Sequence, residues 1–360
     1  MKVGIVGLPN AGKSSLFNAL SRAGKAEAAN YPFTTIEPNV AVVPVRDERL
    51  DEVARTVGSS SVVHDTIEVH DIAGLVAGAY KGEGLGNRFL SNIRETDAII
   101  HVVRCHRDEN VIHPEGRVDP AADIETIETE LIYADLEQAE RRLDRVTRQA
   151  RSGDRLARAE EGWLQQVVAA LQSGLPARTV PPPADAPEAA GNLFPLTGKP
   201  VLLVANVDEG EDEVPPEVAE HAAAIGARAV AVSSRIEAEL TELDDEEAGL
   251  MRADLGAGES GLDRVVHGAF SLLGLIAFFT AGEDKPAQSW HMRDGLTAWH
   301  AAGAIHSDIQ RGFVRAEVIA WDALVQAGGY APARDKGVLR IEGRDYVMRD
   351  GDVMTVRFTP

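Results

Sequence analysis

Gly7-Leu8-Pro9-Asn10-Ala11-Gly12-Lys13-Ser14 is the stretch on which the reading of this chain turns. The apolar run Lys2–Val6 before it predicts a β-strand, and Ser15–Leu20 after it predicts a helix with Leu16, Ala19 and Leu20 facing inward. Gly-x-x-x-x-Gly-Lys-Ser between a strand and a helix is the phosphate-binding P-loop pattern. Gly7 and Gly12 let the backbone curl, so that successive N–H groups converge on phosphate oxygens at a helix N-terminus. Lys13 sets a point charge on the β- and γ-phosphates, and Ser14 offers its hydroxyl to Mg²⁺. Ala11, Gly12 and Ser15 complete the cradle. The chain is expected to bind a nucleoside triphosphate on an α/β fold.

The segments downstream supply what such a site needs. Asn30–Asn39 holds two prolines and a Thr34-Thr35 pair, which suits a switch loop with Thr35 as a Mg²⁺ ligand. Val40–Val45 and Asp65–His70 predict strands, the second ending in Asp71-Ile72-Ala73-Gly74. Asp71 is expected to support Mg²⁺ through water, and the Gly74 N–H to meet the γ-phosphate. Leu75 stands where a Ras-type enzyme has the glutamine that orients water, so the attacking water must be handled from elsewhere. Gly78, Gly82, Gly84 and Gly86 then make a second flexible loop. Ala98–Val103 predicts a further buried strand, and the polar loop Arg107–His113 leaves its carboxyl end, where ligands of open α/β sheets sit. A loop histidine such as His113 is by itself most often simply solvated.

From Asp123 to Ser173 the period becomes helical, with Ile124, Ile127, Leu131, Ala139, Leu143, Val146 and Ala150 before a break at Ser152-Gly153-Asp154, and Leu156, Trp163, Val167, Val168 and Leu171 after it. This predicts a helical hairpin, an antiparallel coiled coil inserted into the sheet domain. Arginines 141, 142, 145, 148, 151, 155 and 158 gather at its turn, opposed only by Asp144 and Asp154. They make either a solvated helix face or a contact for RNA. Thr179–Ala190 reads as a loop or linker, and the acidic run Glu237–Glu247 as solvated.

Pro200–Ala205 predicts a strand that ends in Asn206-Val207-Asp208-Glu209. A GTPase carries Asn-Lys-x-Asp here, the aspartate accepting from the two donors of guanine. With Val207 for Lys and Glu209 for Asp, guanine recognition is weakened, and adenine read by Asn206 and backbone groups such as those of Val207 becomes plausible. Ala229–Ser233 closes the sheet, with Ser233-Ser234 beside the base, and Asp263–Leu273 predicts a helix. From Leu275 onward, short strands at Leu275–Ala281, Gly312–Ala320, Gly337–Ile341 and Met354–Phe358 alternate with helical pieces at Gly295–Ala302 and Asp322–Ala327, a small α+β domain.

Composition narrows the classes. A net charge of −21 argues against a surface that binds nucleic acid as a whole, though not against a local basic patch. The longest apolar run, Leu272–Phe279, is too short for a membrane span. The chain opens directly into a core strand, so no signal peptide is expected. One cysteine, Cys105, excludes an internal disulfide and fits a reducing cytoplasm; it reads as a packed thiol.

Taken together, Gly7–Ser15, Tyr31–Pro38, Asp71–Leu75, the His113 loop through Val118-Asp119-Pro120, and Asn206–Glu209 resemble the YchF-type members of the Obg-related P-loop NTPases of the TRAFAC class. Ala302–Phe313 and Asp350-Gly351-Asp352 are similar to that family's TGS domain, which has a ubiquitin-like α+β fold. The resemblance implies an α/β P-loop NTPase domain with a mostly parallel sheet and helices on both faces, over 1–122 and 197–274. It implies a helical hairpin insert over 123–196 and a TGS domain over 275–360. It implies ATP preferred over GTP, slow hydrolysis to ADP and phosphate, and nucleotide-dependent ribosome binding; with nothing in the sequence suggesting an obligate oligomer, a cytoplasmic monomer is expected. The large ribosomal subunit would be met through rRNA contacts of the Arg141–Arg158 tip. It also implies that His113 positions the catalytic water, and that Asn10 stands where related enzymes hold a K⁺. Pro114-Glu115 after His113 departs from the usual loop. The rival readings are a conventional GTPase, a metabolic P-loop kinase whose arginine-rich lid finds no counterpart here, and a regulatory binding protein whose hydrolysis is incidental.

Overall fold

The computed structural model describes residues 1–27, 39–72, 85–108, 116–254 and 260–359. Contacts divide the chain into two compact units, principally Met1–Ala23 with Glu68–Ala269, and Val42–Ile67 with Phe270–Pro360. In order, the first half of the chain gives β1 (Lys2–Val6), α1 (Lys13–Glu27), β2 (Val40–Pro44), α2 (Glu48–Val57), β3 (Ser61–Val63), β4 (Thr66–Asp71), α3 (Leu85–Arg94), β5 (Ala98–Arg104), α4 (Pro120–Ala150) and α5 (Arg155–Gln172). Then come α6 (Ala189–Leu193), β6 (Val201–Asn206), α7 (Pro216–Ile225), β7 (Arg228–Val232), α8 (Ser234–Leu240), α9 (Asp245–Asp254) and α10 (Gly261–Leu272).

The first sheet has strand order β2-β4-β1-β5-β6-β7. Its last five members run parallel. β5 is buried at every position and β1 at all but its first. Strands covered on both faces read as continuous apolar runs, which is why both were legible. Val6, Ile72, Ile93, Ile99 and Ile127 form one cluster against this sheet, and Val103, Leu203, Val218 and Ala222 another. This is the α/β P-loop fold expected.

The helical insert is a hairpin of two capped helices. Asp119 caps α4 by accepting from Ala122 N at 3.1 Å, with Pro120 in the first turn. Asp154 caps α5 by accepting from Leu156 N at 2.9 Å and Ala157 N at 3.2 Å. Between them Gly153 takes φ +95°, a left-handed turn natural to glycine. Ala139, Val146, Ala150, Ala157, Trp163, Leu164, Val167 and Leu171 form the seam. One predicted member is wrong: Leu156 is 63% exposed, because it lies in the first turn and the buried phase starts at Ala157. Ala177, Ala186, Ala189 and Leu193 join the same cluster, and Trp163 Nε1 donates to Val180 O at 3.0 Å. The expected linker Thr179–Ala190 is therefore packed against the hairpin. At the root, buried Asp135 accepts from Leu196 N, Thr197 N and Thr197 Oγ1 at 2.7–2.8 Å.

The acidic run also needs correcting at its start. Glu237 is buried, accepting from Gly261 N at 2.7 Å and from Arg252 at 3.2 Å. A run of carboxylates hides the one that faces inward.

The second unit adds β8 (Leu275–Thr280), β9 (Pro286–Arg293), α11 (Ala298–Ile305), α12 (Ser307–Arg311), β10 (Phe313–Ala320), α13 (Trp321–Ala327), α14 (Tyr330–Asp335), β11 (Arg340–Glu342) and β12 (Asp352–Phe358). Its sheet runs β11-β10-β12-β8-β9-β3. Leu50, Val53 and Ala54 of α2 pack with Phe279, Ile319 and Leu324, so the segment 42–67 belongs to this unit by its contacts rather than to the first. β3, β9 and α2 were absent from the sequence reading. β9 turns Ala287, Ser289 and Met292 inward, and alanine and serine carry no apolar alternation to detect. Among the described residues no helix is long and apolar enough to cross a membrane.

Candidate active site

Eight consecutive residues, Gly7–Ser14, the loop after β1 with the first two residues of α1, build one end of the site. Gly7 has φ +151°, and a Cβ there would lie 2.4 Å from Val102 O on β5, so the loop passes too close to the sheet for any side chain. Gly12 has φ +99°, and its Cβ would meet Asn206 Nδ2 at 2.2 Å and Ser234 Oγ at 3.0 Å. Asn10 takes φ +63°, a conformation asparagine tolerates better than most residues. Leu16 N donates to Gly12 O at 2.9 Å, starting α1 directly after the loop.

Lys13 is 7% exposed and its Nζ donates to Leu8 O at 2.7 Å. Burial lowers its pKa and the charge of Asp71 opposes that shift. Asp71, at the end of β4, is raised by burial and held down by Lys13. The two groups thus sense each other across the end of the sheet. Ser14 and Ser15 are exposed at the start of α1.

The other end is assembled from separate strands. Asn206 closes β6, is 4% exposed, donates through Nδ2 to Ala11 O at 3.0 Å and accepts from Ser234 N at Oδ1 at 3.0 Å. It ties the P-loop to the start of α8. Val207 is buried, with its N–H donating to Val232 O at 3.0 Å, while Glu209 is exposed. A cavity of about 990 Å³ runs over both ends, lined by Asn10, Gly12, Ser14, Ser15, Asn206, Val207 and Glu209 among others. Ala11 is 2% exposed, and it and Lys13 are not among the lining residues. Thr35, Gly74, Leu75 and His113 lie outside the described residues.

The sequence reading missed part of the rim. Arg22 and Glu242 pair at 2.6 Å, and Arg107 N donates to Asp208 Oδ2 at 3.2 Å; all four residues line the cavity. The one available signal was position, since the Arg107 loop follows the carboxyl end of β5. Cys105 beside it is pushed up to about 12 by burial and by Glu217, Asp123 and Glu211, which fits a packed, unreactive thiol.

The donor set suits Mg²⁺ held jointly with phosphates. It offers a hydroxyl at Ser14 and one carboxylate at Asp71, and among the described residues no three His, Cys, Asp or Glu side chains gather as an all-protein cage.

At the hairpin turn, Arg142 pairs with Glu160 at 2.5 Å and Arg141 with Glu137 at 3.5 Å. Arg145, Arg148, Arg151 and Arg155 are exposed.

Known proteins match from end to end. A family model described as 50S ribosome-binding GTPase matches residues 2–139. The YchF GTPase C-terminal model, described as a protein of unknown function, matches residues 275–359. The chain is 50% identical over 360 residues to the Ribosome-binding ATPase YchF of Haemophilus ducreyi, with 99% of each chain covered. It is 47% identical over 364 residues to the protein of the same name from Bacillus subtilis, again with 99% of each covered. The solved structure of the Schizosaccharomyces pombe YchF GTPase superposes with a TM-score of 0.88 at 34% identity, over 99% of this chain and 97% of that one. With the P-loop, the altered Asn-x-x-Glu and the C-terminal unit all in their places, this chain belongs to the YchF family.

Proposed function

We propose that the protein is a cytoplasmic ATPase that hydrolyses ATP to ADP and phosphate and changes its grip on the ribosome with the nucleotide it holds. One observation carries the reading: a single cavity joins a complete P-loop to an Asn206–Glu209 segment that lacks the guanine-reading aspartate. The names of the relatives, Ribosome-binding ATPase YchF, support both halves of it.

In this reading the P-loop N–H groups and Lys13 neutralise the phosphates. Ser14, Thr35 and Asp71 would hold Mg²⁺, which would supply Lewis-acid stabilisation of the charge on the phosphates. Gly74 meets the γ-phosphate, and His113 orients the attacking water in place of the glutamine that Leu75 displaces. Asn10 is the position for a K⁺. Asn206 holds the base end in register, while the backbone at Val207 and the side chain of Glu209 face the base. The exposed arginines 145, 148, 151 and 155 form the rRNA-contacting tip toward the large subunit, with Arg142 kept for the hairpin by Glu160. The protein acts as a monomer.

Competition of ATP and GTP against one fluorescent nucleotide, with Mg²⁺ present, tests the first half, and ATP is expected to win clearly. A GTP preference would return the chain to the conventional GTPases. Co-sedimentation with ribosomes in the ATP and ADP states tests the second half. Equal binding in both states would remove the nucleotide switch.

A further inference from the structure

We propose that a second cavity, of about 460 Å³ in the first unit, binds a small, uncharged, mostly apolar molecule whose single hydroxyl donates to His101. The site is separate from the nucleotide cavity, and the proposal does not depend on the reading of that cavity. Its walls are Val6 and Ile99 of the sheet, Ile127 and Leu131 of α4, and Leu196. Leu175 and Ala224 are among its exposed lining residues. The volume is within the range of small-molecule sites, about 300–1,000 Å³, and the apolar lining with few polar groups is their usual chemistry.

The polar side chains of this cavity decide what the occupant must offer. Glu128 is held by His221 Nε2 at 3.0 Å. Arg178 donates to Thr197 O at 3.1 Å and Ile225 O at 3.4 Å. Thr197 Oγ1 donates to Asp135 at 2.7 Å, and Thr179 Oγ1 to Pro176 O at 2.8 Å. His101 is different: it is 3% exposed and its ring makes no hydrogen bond among the described residues. Its nitrogens are not among the fully enclosed side-chain atoms that lack a partner, so the ring opens onto the cavity, where a ligand that offers a donor gains a hydrogen bond.

The character of the head group follows from the surroundings of that ring. Burial, with His221 and Lys13 nearby, drives His101 down to about 3, so the imidazole is neutral and keeps one nitrogen as an acceptor. A hydroxyl fits that acceptor. A charged head would lose its hydration against the apolar walls, and the charged groups of the lining, Glu128 and Arg178, are already held by His221 and by backbone carbonyls.

Fluorescence titration of the full-length protein with 2-naphthol and with 2-methylnaphthalene isolates the hydroxyl, because the two probes share a shape. We expect saturable one-to-one binding of both, with 2-naphthol about tenfold tighter, the usual worth of one buried hydrogen bond. His101→Leu removes no protein hydrogen bond and is expected to bind both probes equally. Ala224→Trp sets a large side chain at an exposed position of the lining and is expected to bind neither, which keeps the test decisive should His101→Leu fail to fold. Absence of saturable binding to the wild type overturns the proposal. So does a hydroxyl preference that survives His101→Leu, or wild-type binding by Ala224→Trp.

Discussion

The phosphate end and the base end of the nucleotide cavity are built on different terms. The phosphate end is local: eight consecutive residues, wedged so tightly that Gly7 and Gly12 leave no room for a Cβ. The base end is collected from the ends of β6 and β7, the start of α8 and the loop after β5, and its carboxylate Glu209 is exposed. A rigid local cradle can serve any nucleoside triphosphate. A collected rim can change its choice of base by one side chain. Specificity is therefore expected to be adjustable at one end and catalysis intolerant at the other.

The largest effect should come from Lys13→Ala. Lys13 is the one cation of the P-loop motif, kept buried beside Asp71. Loss of a preorganised charge at a transferring phosphoryl group costs about 10²–10³-fold in turnover, roughly 3–4 kcal/mol. Steady-state hydrolysis with ATP and with GTP should fall alike. A variant within tenfold of wild type would mean that the P-loop amides alone carry the charge.

His101 tests how far the backing of the phosphate end depends on pH. It pairs with Val6, the residue before the P-loop, in the parallel ladder. The folded protein refuses its proton down to about pH 3, whereas the unfolded chain takes one up near pH 6.5. Its contribution to stability is therefore complete above pH 6.5 and is lost as the pH falls, at about 1.4 kcal/mol per unit. By pH 4 that is about 3 kcal/mol. Urea unfolding of wild type and His101→Leu between pH 7 and 4 should diverge by this amount, with the variant the less sensitive. Parallel curves would show that His101 keeps its proton when folded.

Asn206→Ala probes the link between the two ends. It strips the partner from Ala11 O and Ser234 N, both held at 3.0 Å in a buried setting, at about 2 kcal/mol of stability. Nucleotide affinity should drop about tenfold for ATP and GTP together, because the strut serves the cradle rather than one base. Isothermal titration with both nucleotides checks this. A change confined to one of them would make Asn206 a reader of the base.

The same contrast explains how much was legible beforehand. The strand-loop-helix around Lys13, the buried strands β1 and β5 and the hairpin seam are local or periodic, and each could be read from neighbouring residues. The rim pair Arg22–Glu242 joins residues 220 positions apart, and no periodicity announces it. Glu237 sits in an acidic run with nothing to mark it as the buried member. β9 was invisible because its inward residues include Ala287 and Ser289. Thr35 and Gly74 are expected from motif and His113 from resemblance alone, and the roles of all three are proposals.

Glu209→Asp carries the smallest and most discriminating effect. Guanine presents two donors to a carboxylate, and an aspartate at this place meets them. Glu209 is one methylene longer and exposed after β6, so it keeps the charge but changes the reach. Shortening the side chain should restore part of guanine recognition, while Val207 still lacks the lysine that packs along a base. The ATP-to-GTP affinity ratio is expected to shrink about tenfold, roughly 1.4 kcal/mol, with turnover at saturating ATP unchanged. An unchanged ratio would move the choice of base away from Glu209 and onto the backbone that Asn206 and Val232 hold in place. The base end would then be as fixed as the phosphate end, and the contrast between them would fail.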